Sequence, residues 1–231
     1  MWRPQLQRLA ERARVINIDG RGHGKSGQAD SRFTLYDMVA DVLAVLDHLG
    51  IDRATWAGLS IGGMVALRAA LTAPERVSSL ILLDTHAGAE EPLKKLKYQA
   101  MAIGVRLLGI QAFLPAVMPL FFGRTTLKTN SSLVDEWRAK LAQVHVPSVL
   151  RTLDALRNRD SIVARLGEIR VPSLVIVGAE DKALPPACSR QIAAALPHAS
   201  LTIVPDSGHL SNLEQPAAVT AAMLGFLEQV T

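Results

Sequence analysis

With one cysteine, Cys188, in 231 residues, the chain can form no internal disulfide, and a small disulfide-stapled scaffold is excluded. A lone thiol fits a reducing compartment, and the expected location is cytoplasmic; a targeting segment upstream of Met1 would be invisible in this sequence. The six histidines are scattered, without CxxC or HExxH spacing, so neither a metal nor another cofactor is expected. No apolar run reaches the roughly 20 residues that span a bilayer, so no membrane span is expected. The net charge is only +4, with dispersed basic residues set against 21 acids, and no nucleic-acid partner is indicated. Aromatics are sparse at 4%, and neither internal repeats nor low-complexity linkers occur. What remains is a globular composition, 49% apolar and 20% charged, long enough for one large domain. Nothing in it indicates an oligomeric state.

Strand-like runs alternate with helical ones. "ARVINID" (13–19), "RATWAGL" (53–59), "VSSLILLDT" (77–85), "VPSLVIVGA" (171–179) and "ASLTIVPD" (199–206) read as strands. Between residues 34 and 50, Leu35, Met38, Val39, Val42, Val45, Leu46 and Leu49 share one helical face. Helices are also expected over 60–74 and 216–230. This rhythm implies an α/β fold, a mostly parallel sheet flanked by helices. It breaks between Asp84 and about Pro147, where helical pieces rich in Leu, Met and Phe replace strands. That predicts a core of residues 1–85 and 147–231, with a helical lid at 86–146 inserted after the strand at 77–85.

"WAGLSIGG" contains GxSxG as Gly58-Leu59-Ser60-Ile61-Gly62, between an apolar strand and a small-residue helix. Three fixed positions alone would match by chance in roughly one chain in ten of this length, so the strand–turn–helix setting carries the weight. A sharp turn there lifts the Ser60 oxygen into the cleft at the carboxyl end of the sheet, and Gly58 and Gly62 relieve crowding around it. The helix start places the Ile61 N–H as an oxyanion donor.

A nucleophilic serine needs a base, and the base an orienting acid. His209 lies in the loop after the last strand and Asp181 in the loop after the one before it. In a parallel sheet both loops open at the edge of the Ser60 turn. Singly, each residue reads as a helix cap or a solvated loop side chain. Together, in the order Ser60, Asp181, His209, they read as a catalytic triad. Asp84, at the end of the 77–85 strand, is the rival acid. His86 and His145 flank the lid and suit pocket lining or surface exposure better than proton transfer. Leu59, Met118, Phe121, Phe122 and Leu210 are candidates for an acyl pocket, although most apolar lid residues are expected to serve packing.

"DGRGHGKSG" (19–27) imitates two phosphate motifs. Asp19 stands where a P-loop needs glycine, and polar "GQADSR" follows where a helix N-terminus should hold the anion. Neither nucleotide reading survives.

Four segments, "VINIDGRGHGKS", "GLSIGG", "NRDSIVARLGEIRVPSLVIVGAEDKALPP" and "IVPDSGHLSNLEQP", resemble the α/β-hydrolases, in the esterase and 3-oxoadipate enol-lactonase branch. The resemblance implies a structural glycine loop held by Asp19, Arg21 and Ser26, with His23 near the cleft mouth. It implies a serine hydrolase (carboxylesterase or lactonase type) that cleaves a small ester, thioester or enol-lactone, with Asp181 as the acid. Serine at the elbow excludes the dehalogenase and epoxide-hydrolase chemistries of this fold, which need a carboxylate there. The resemblance also implies two strands, then a third ending in a His-Gly oxyanion loop, ahead of the point where this chain starts. The 231 residues are therefore expected to be an N-terminally shortened form with two unpaired strand edges. Two other outcomes follow from these residues: a slow-turnover receptor or signalling member of the fold, or an inactive remnant.

Overall fold

The computed structural model describes residues 1–230. Four parallel strands, β1 (Ala54–Leu59), β2 (Val77–Leu83), β3 (Ser173–Gly178) and β4 (Ala199–Val204), lie side by side in chain order. Leu59 pairs with Leu83, Leu83 with Ile176, and Gly178 with Val204, so all four carboxyl ends reach one edge of the sheet. The loops that follow open together there. Each expected strand from 53 onward is present, within a few residues of its predicted limits.

Successive strand side chains turn to opposite faces. Leu80, Leu82 and Val175 enter one apolar cluster, while Ile81, Leu83, Leu174 and Ile176 enter another. Among the described residues, eleven α-helices surround the sheet. They are α1 (Arg3–Ala10), α2 (Leu35–His48), α3 (Ile61–Thr72), α4 (Pro92–Leu108), α5 (Leu114–Phe121), α6 (Arg124–Thr129), α7 (Ser131–Ala142), α8 (Val146–Arg157), α9 (Pro186–Ala195), α10 (Ser211–Glu214) and α11 (Pro216–Val230). Residues of α2, α3 and α9 fill the first cluster; residues of α1, α5, α7 and α11 fill the second. Both faces are thus covered, as a parallel sheet requires.

Local chemistry accounts for the helix starts. Thr34 and Asp37 form a reciprocal cap for α2: the Asp37 N–H donates to Thr34 Oγ1 and the Thr34 N–H to Asp37 Oδ2. The predicted face of α2 is the inner one, with Leu35, Met38, Val39 and Leu46 buried. Helix α1 is fastened by a polar contact that its amphipathic pattern does not reveal. Gln5 is fully buried, and its side-chain amide donates to the Asn212 carbonyl at 2.9 Å.

One expectation is corrected. Residues 13–19 form no strand: they run without ladder bonds, are largely exposed, and join the core chiefly through Ile16. A strand exists only where a neighbour pairs with it, and β1 is an edge strand with its single partner on the β2 side. Helical structure continues past residue 146. Helix α8 starts there, packs on α4, and runs to Arg157. No helix among the described residues is long and apolar enough to cross a membrane.

The glycine-rich loop is a compact turn. The Lys25 N–H donates to Asp19 Oδ2 at 2.9 Å, the Ser26 hydroxyl to the Asp19 carbonyl, and Gly22 N–H to the Gly27 carbonyl. Arg21 bonds both oxygens of Asp41, each at 2.6 Å. His23 Nδ1 sits 3.0 Å from the Arg21 carbonyl. No helix begins between this loop and Leu35, so the loop aims no helix N-terminus at a phosphate.

Candidate active site

Strand β1 ends at Leu59 and α3 begins at Ile61, leaving Ser60 to make the whole reversal. Its backbone has φ +54° and ψ −115°, a region that costs a side-chain-bearing residue roughly 1–3 kcal/mol. Surrounding bonds hold it there. The Ser60 N–H donates to the Leu83 carbonyl at 2.8 Å, and its own carbonyl accepts from Thr85 Oγ1 at 2.7 Å and Gly63 N–H at 3.0 Å.

The glycines around the serine are not equivalent. A Cβ on Gly58 would lie 2.1 Å from the Gly62 carbonyl carbon, so strand and helix backbones can approach only because it is absent. On Gly63 it would meet Thr85 at 2.7 Å. Gly62 corrects the expectation of crowding, since a Cβ there would meet nothing within 4 Å. Ile61 is the first residue of α3, so its N–H has no carbonyl partner within the helix and points outward from the positive end.

Two other loops come to this turn. His209 Nε2 lies 2.9 Å from Ser60 Oγ, and His209 Nδ1 lies 2.8 Å from Asp181 Oδ2. The other Asp181 oxygen accepts from the N–H groups of Ala183 and Leu184, at 2.8 and 2.9 Å. His209 and Asp181 are buried, at 5% and 4% exposure. Burial draws the imidazole pKa down, but the hydrogen bond and charge of Asp181, with Asp84 and Glu214 behind it, hold it above its ordinary value. The buried imidazole is therefore a stronger base than a free one, and Asp181 favours the tautomer with its proton on Nδ1.

Asp84 is close by but faces elsewhere. Its Oδ1 accepts from the Gly178 N–H at 2.8 Å and its Oδ2 from the Ser211 hydroxyl. Fully buried and at φ +45°, it ties the end of β3 to α10. Burial pushes its carboxyl up to about 7, against the opposing charge of His209 and its own hydrogen bonds.

The pocket candidates are mostly packing residues. Leu59, Met118, Phe122 and Leu210 are buried within the second apolar cluster. Phe121 is half-buried, and its ring lies 6.2 Å from the His209 ring at 23° between planes. A groove of about 400 Å³, lined by residues including Phe33, Tyr36, Asp154 and Arg159, holds none of the three clustered side chains. His86 lies 3.3 Å from Arg159, whose guanidinium pairs with buried Glu90 at 2.8 Å, and His145 bonds Ser148 at 2.8 Å. Sequence reading did not single out Thr85, Gln5, Glu180 or Glu214. Thr85, Gln5 and Glu180 act through backbone partners far away in the chain, and Glu214 joins the remote Gly123 to its near neighbours Gly208 and Leu210, so no local pattern marks them.

The family model described as alpha/beta hydrolase fold matches residues 1–216. A curated relative, 3-oxoadipate enol-lactonase 2 of Acinetobacter baylyi, is 30% identical, aligned over 96% of this chain and 82% of its own length. Among solved structures, a thermophilic esterase from Thermogutta terrifontis superposes with TM-score 0.94 at 29% identity, covering 99% of this chain and 85% of that one. An enol-lactonase from Burkholderia xenovorans LB400 superposes with TM-score 0.91 at 30% identity, covering 98% and 85%.

Proposed function

The chain belongs to the α/β-hydrolase family, and on that premise we propose that it is a serine hydrolase cleaving a small ester-like substrate: a carboxylic ester, a thioester or an enol-lactone. Enzymes of ester-like bonds stand among its relatives, in both the lactonase and the esterase lines. The observation that carries the reading is the chain of two short contacts, Ser60 Oγ to His209 Nε2 at 2.9 Å and His209 Nδ1 to Asp181 Oδ2 at 2.8 Å.

In this mechanism His209 Nε2 takes the Ser60 hydroxyl proton as Oγ attacks the substrate carbonyl. The carbonyl oxygen becomes an oxyanion beside the Ile61 N–H, where the α3 dipole also favours negative charge. The tetrahedral intermediate expels the alcohol, thiol or enol leaving group, which takes the proton from His209 and leaves an acyl group on Ser60. Water, deprotonated by His209, then attacks the acyl-enzyme, and His209 returns that proton to the departing Ser60 Oγ as the acid is released. Asp181, bonded to Nδ1, stabilises the imidazolium. We further read the helical segment from α4 to α8 as a lid, with Phe121 at its inner corner against the base.

The test is a chromogenic short-chain ester and an enol-lactone, each assayed with the wild type and Ser60→Ala, alongside labelling by a fluorophosphonate. Turnover and labelling that both vanish in Ser60→Ala support the proposal. Labelling of Ser60 with no turnover of any ester would replace it by a slow-turnover receptor. Neither labelling nor a cooperative melt would point to an inactive remnant.

A further inference from the structure

The helical segment does not simply rest on the sheet. At the corner between α5 and α6 its backbone is bonded to both loops that carry the proposed acid and base. On the acid side, Glu180 accepts from the Thr125 N–H at 2.9 Å, the Thr125 hydroxyl at 2.8 Å and Arg124 Nε at 2.9 Å. On the base side stands Glu214, 9% exposed, at the end of α10. Its Oε2 accepts from the Gly123 N–H at 2.8 Å, and its Oε1 from the Gly208 N–H at 2.9 Å and the Leu210 N–H at 3.3 Å.

Gly208 and Leu210 are the chain neighbours of His209. We propose that Glu214 is a positioning residue for His209: its carboxylate clamps the backbone on both sides of the base and couples it to the lid corner at Gly123. The inference rests on reading His209 as the base.

Three observations converge on it. The acceptor count suits a carboxylate and nothing else of that size. A glutamine would offer one acceptor oxygen to three N–H donors and would turn its own NH₂ toward at least one of them. Next, the two backbones touch so closely that a side chain on either glycine must push the other away. A Cβ on Gly208 would lie 2.3 Å from the Gly123 nitrogen, and one on Gly123 would lie 2.8 Å from the Gly208 nitrogen and 2.6 Å from Glu180 Oε2. Finally, the contact reaches the imidazole by a second route. The Leu210 N–H also donates to the Phe121 carbonyl at 3.1 Å, and the Phe121 ring stacks near the His209 ring. A shift of the corner therefore moves the base.

The clamp is also electrostatic. The carboxylates acting on His209 are Asp181, which bonds it directly, Asp84 and Glu214, and each favours the charged imidazole. On the lid side the charged neighbour, Arg124, is already paired with Glu180 at 2.9 Å.

The test compares the 231-residue wild type with Glu214→Gln and Gly123→Ala. The readouts are the rate of fluorophosphonate labelling of Ser60 as a function of pH, and the low-field proton resonance of His209 Nδ1. Glu214→Gln should slow labelling about 10–100-fold at the plateau, the cost of a misplaced base. It should also move the acid limb to lower pH, because a negative charge near the imidazole has gone. Gly123→Ala pushes the corner away and leaves the Glu214 charge in place, so it should slow labelling without moving the limb.

A purely structural role would lower the melting temperature and move neither the limb nor the plateau of the folded fraction; that result overturns the proposal. Should Glu214→Gln lose its cooperative melt, Gly123→Ala decides alone, and unchanged labelling in it also overturns the proposal. If wild-type Ser60 takes no label, the triad reading fails separately. The His209 resonance then still tests the clamp, because its position and titration must differ between wild type and Glu214→Gln.

Discussion

Asp181 divides its two oxygens between His209 and its own loop: Oδ2 meets His209 Nδ1 at 2.8 Å, while Oδ1 takes the N–H groups of Ala183 and Leu184. This division gives Asp181→Asn a definite outcome. The single amide oxygen will stay with the two backbone N–H donors, so the amide NH₂ must face the imidazole. Nδ1 is then forced to accept, the ring proton moves to Nε2, and His209 can no longer take the Ser60 proton. Turnover should fall about 10³–10⁴-fold with the melting temperature nearly unchanged. Steady-state kinetics beside a thermal melt check this, and a loss below tenfold would remove Asp181 from the acid role.

The pH profile follows from the base. Only neutral His209 can accept a proton, and its pKa lies above the ordinary 6.5 because Asp181, Asp84 and Glu214 outweigh the effect of burial. The rise of kcat/KM from acid pH should therefore have its midpoint above pH 6.5. As Asp84 titrates near 7 beside it, the measured value will belong to the coupled pair. A midpoint at or below 6 would contradict this electrostatic account.

Stability should depend on Asp84 with a known sign. Its carboxyl has an ordinary value of 3.8 and is raised to about 7 in the folded chain, so folding favours its proton. The contribution of this group is highest at low pH, falls as pH rises from about 3.8 to about 7, and is constant above that. Asparagine can still accept from the Gly178 N–H and donate to Ser211. Asp84→Asn should therefore gain stability relative to wild type across that window, by the order of 1 kcal/mol or more at pH 8. Urea titrations at pH 4 and pH 8 measure the difference, and an equal effect at both would refute it.

The glycines of the serine turn should separate cleanly. Gly58→Ala drives a Cβ into the backbone of Gly62 and should cost about 3 kcal/mol or more, or abolish folding. Gly62→Ala meets open space and should fold with near-wild-type stability. Paired thermal melts test the contrast, and equal destabilisation would show that Gly62 is crowded as well.

Much of this was legible in the residues, for a physical reason. Periodicity, turn glycines and caps act over a few residues, so the four strands, the amphipathic face of α2 and the strand–Ser60–helix reversal could be read from the chain. Chain order and the parallel rule brought Ser60, Asp181 and His209 to one sheet edge before any distance was known. What local signals could not decide was anything that depends on a partner remote in sequence. Residues 13–19 have the β-branched composition of a strand, yet no strand among the described residues pairs with them. Asp84 and Asp181 both follow strand ends near His209, and only packing turned one to the imidazole and the other to Gly178 and Ser211. Leu59, Met118 and Phe122 are apolar wherever they point, and tertiary structure placed them in the core. Glu214 reads as one more acid on a short helix until the fold sets three backbone N–H groups around it.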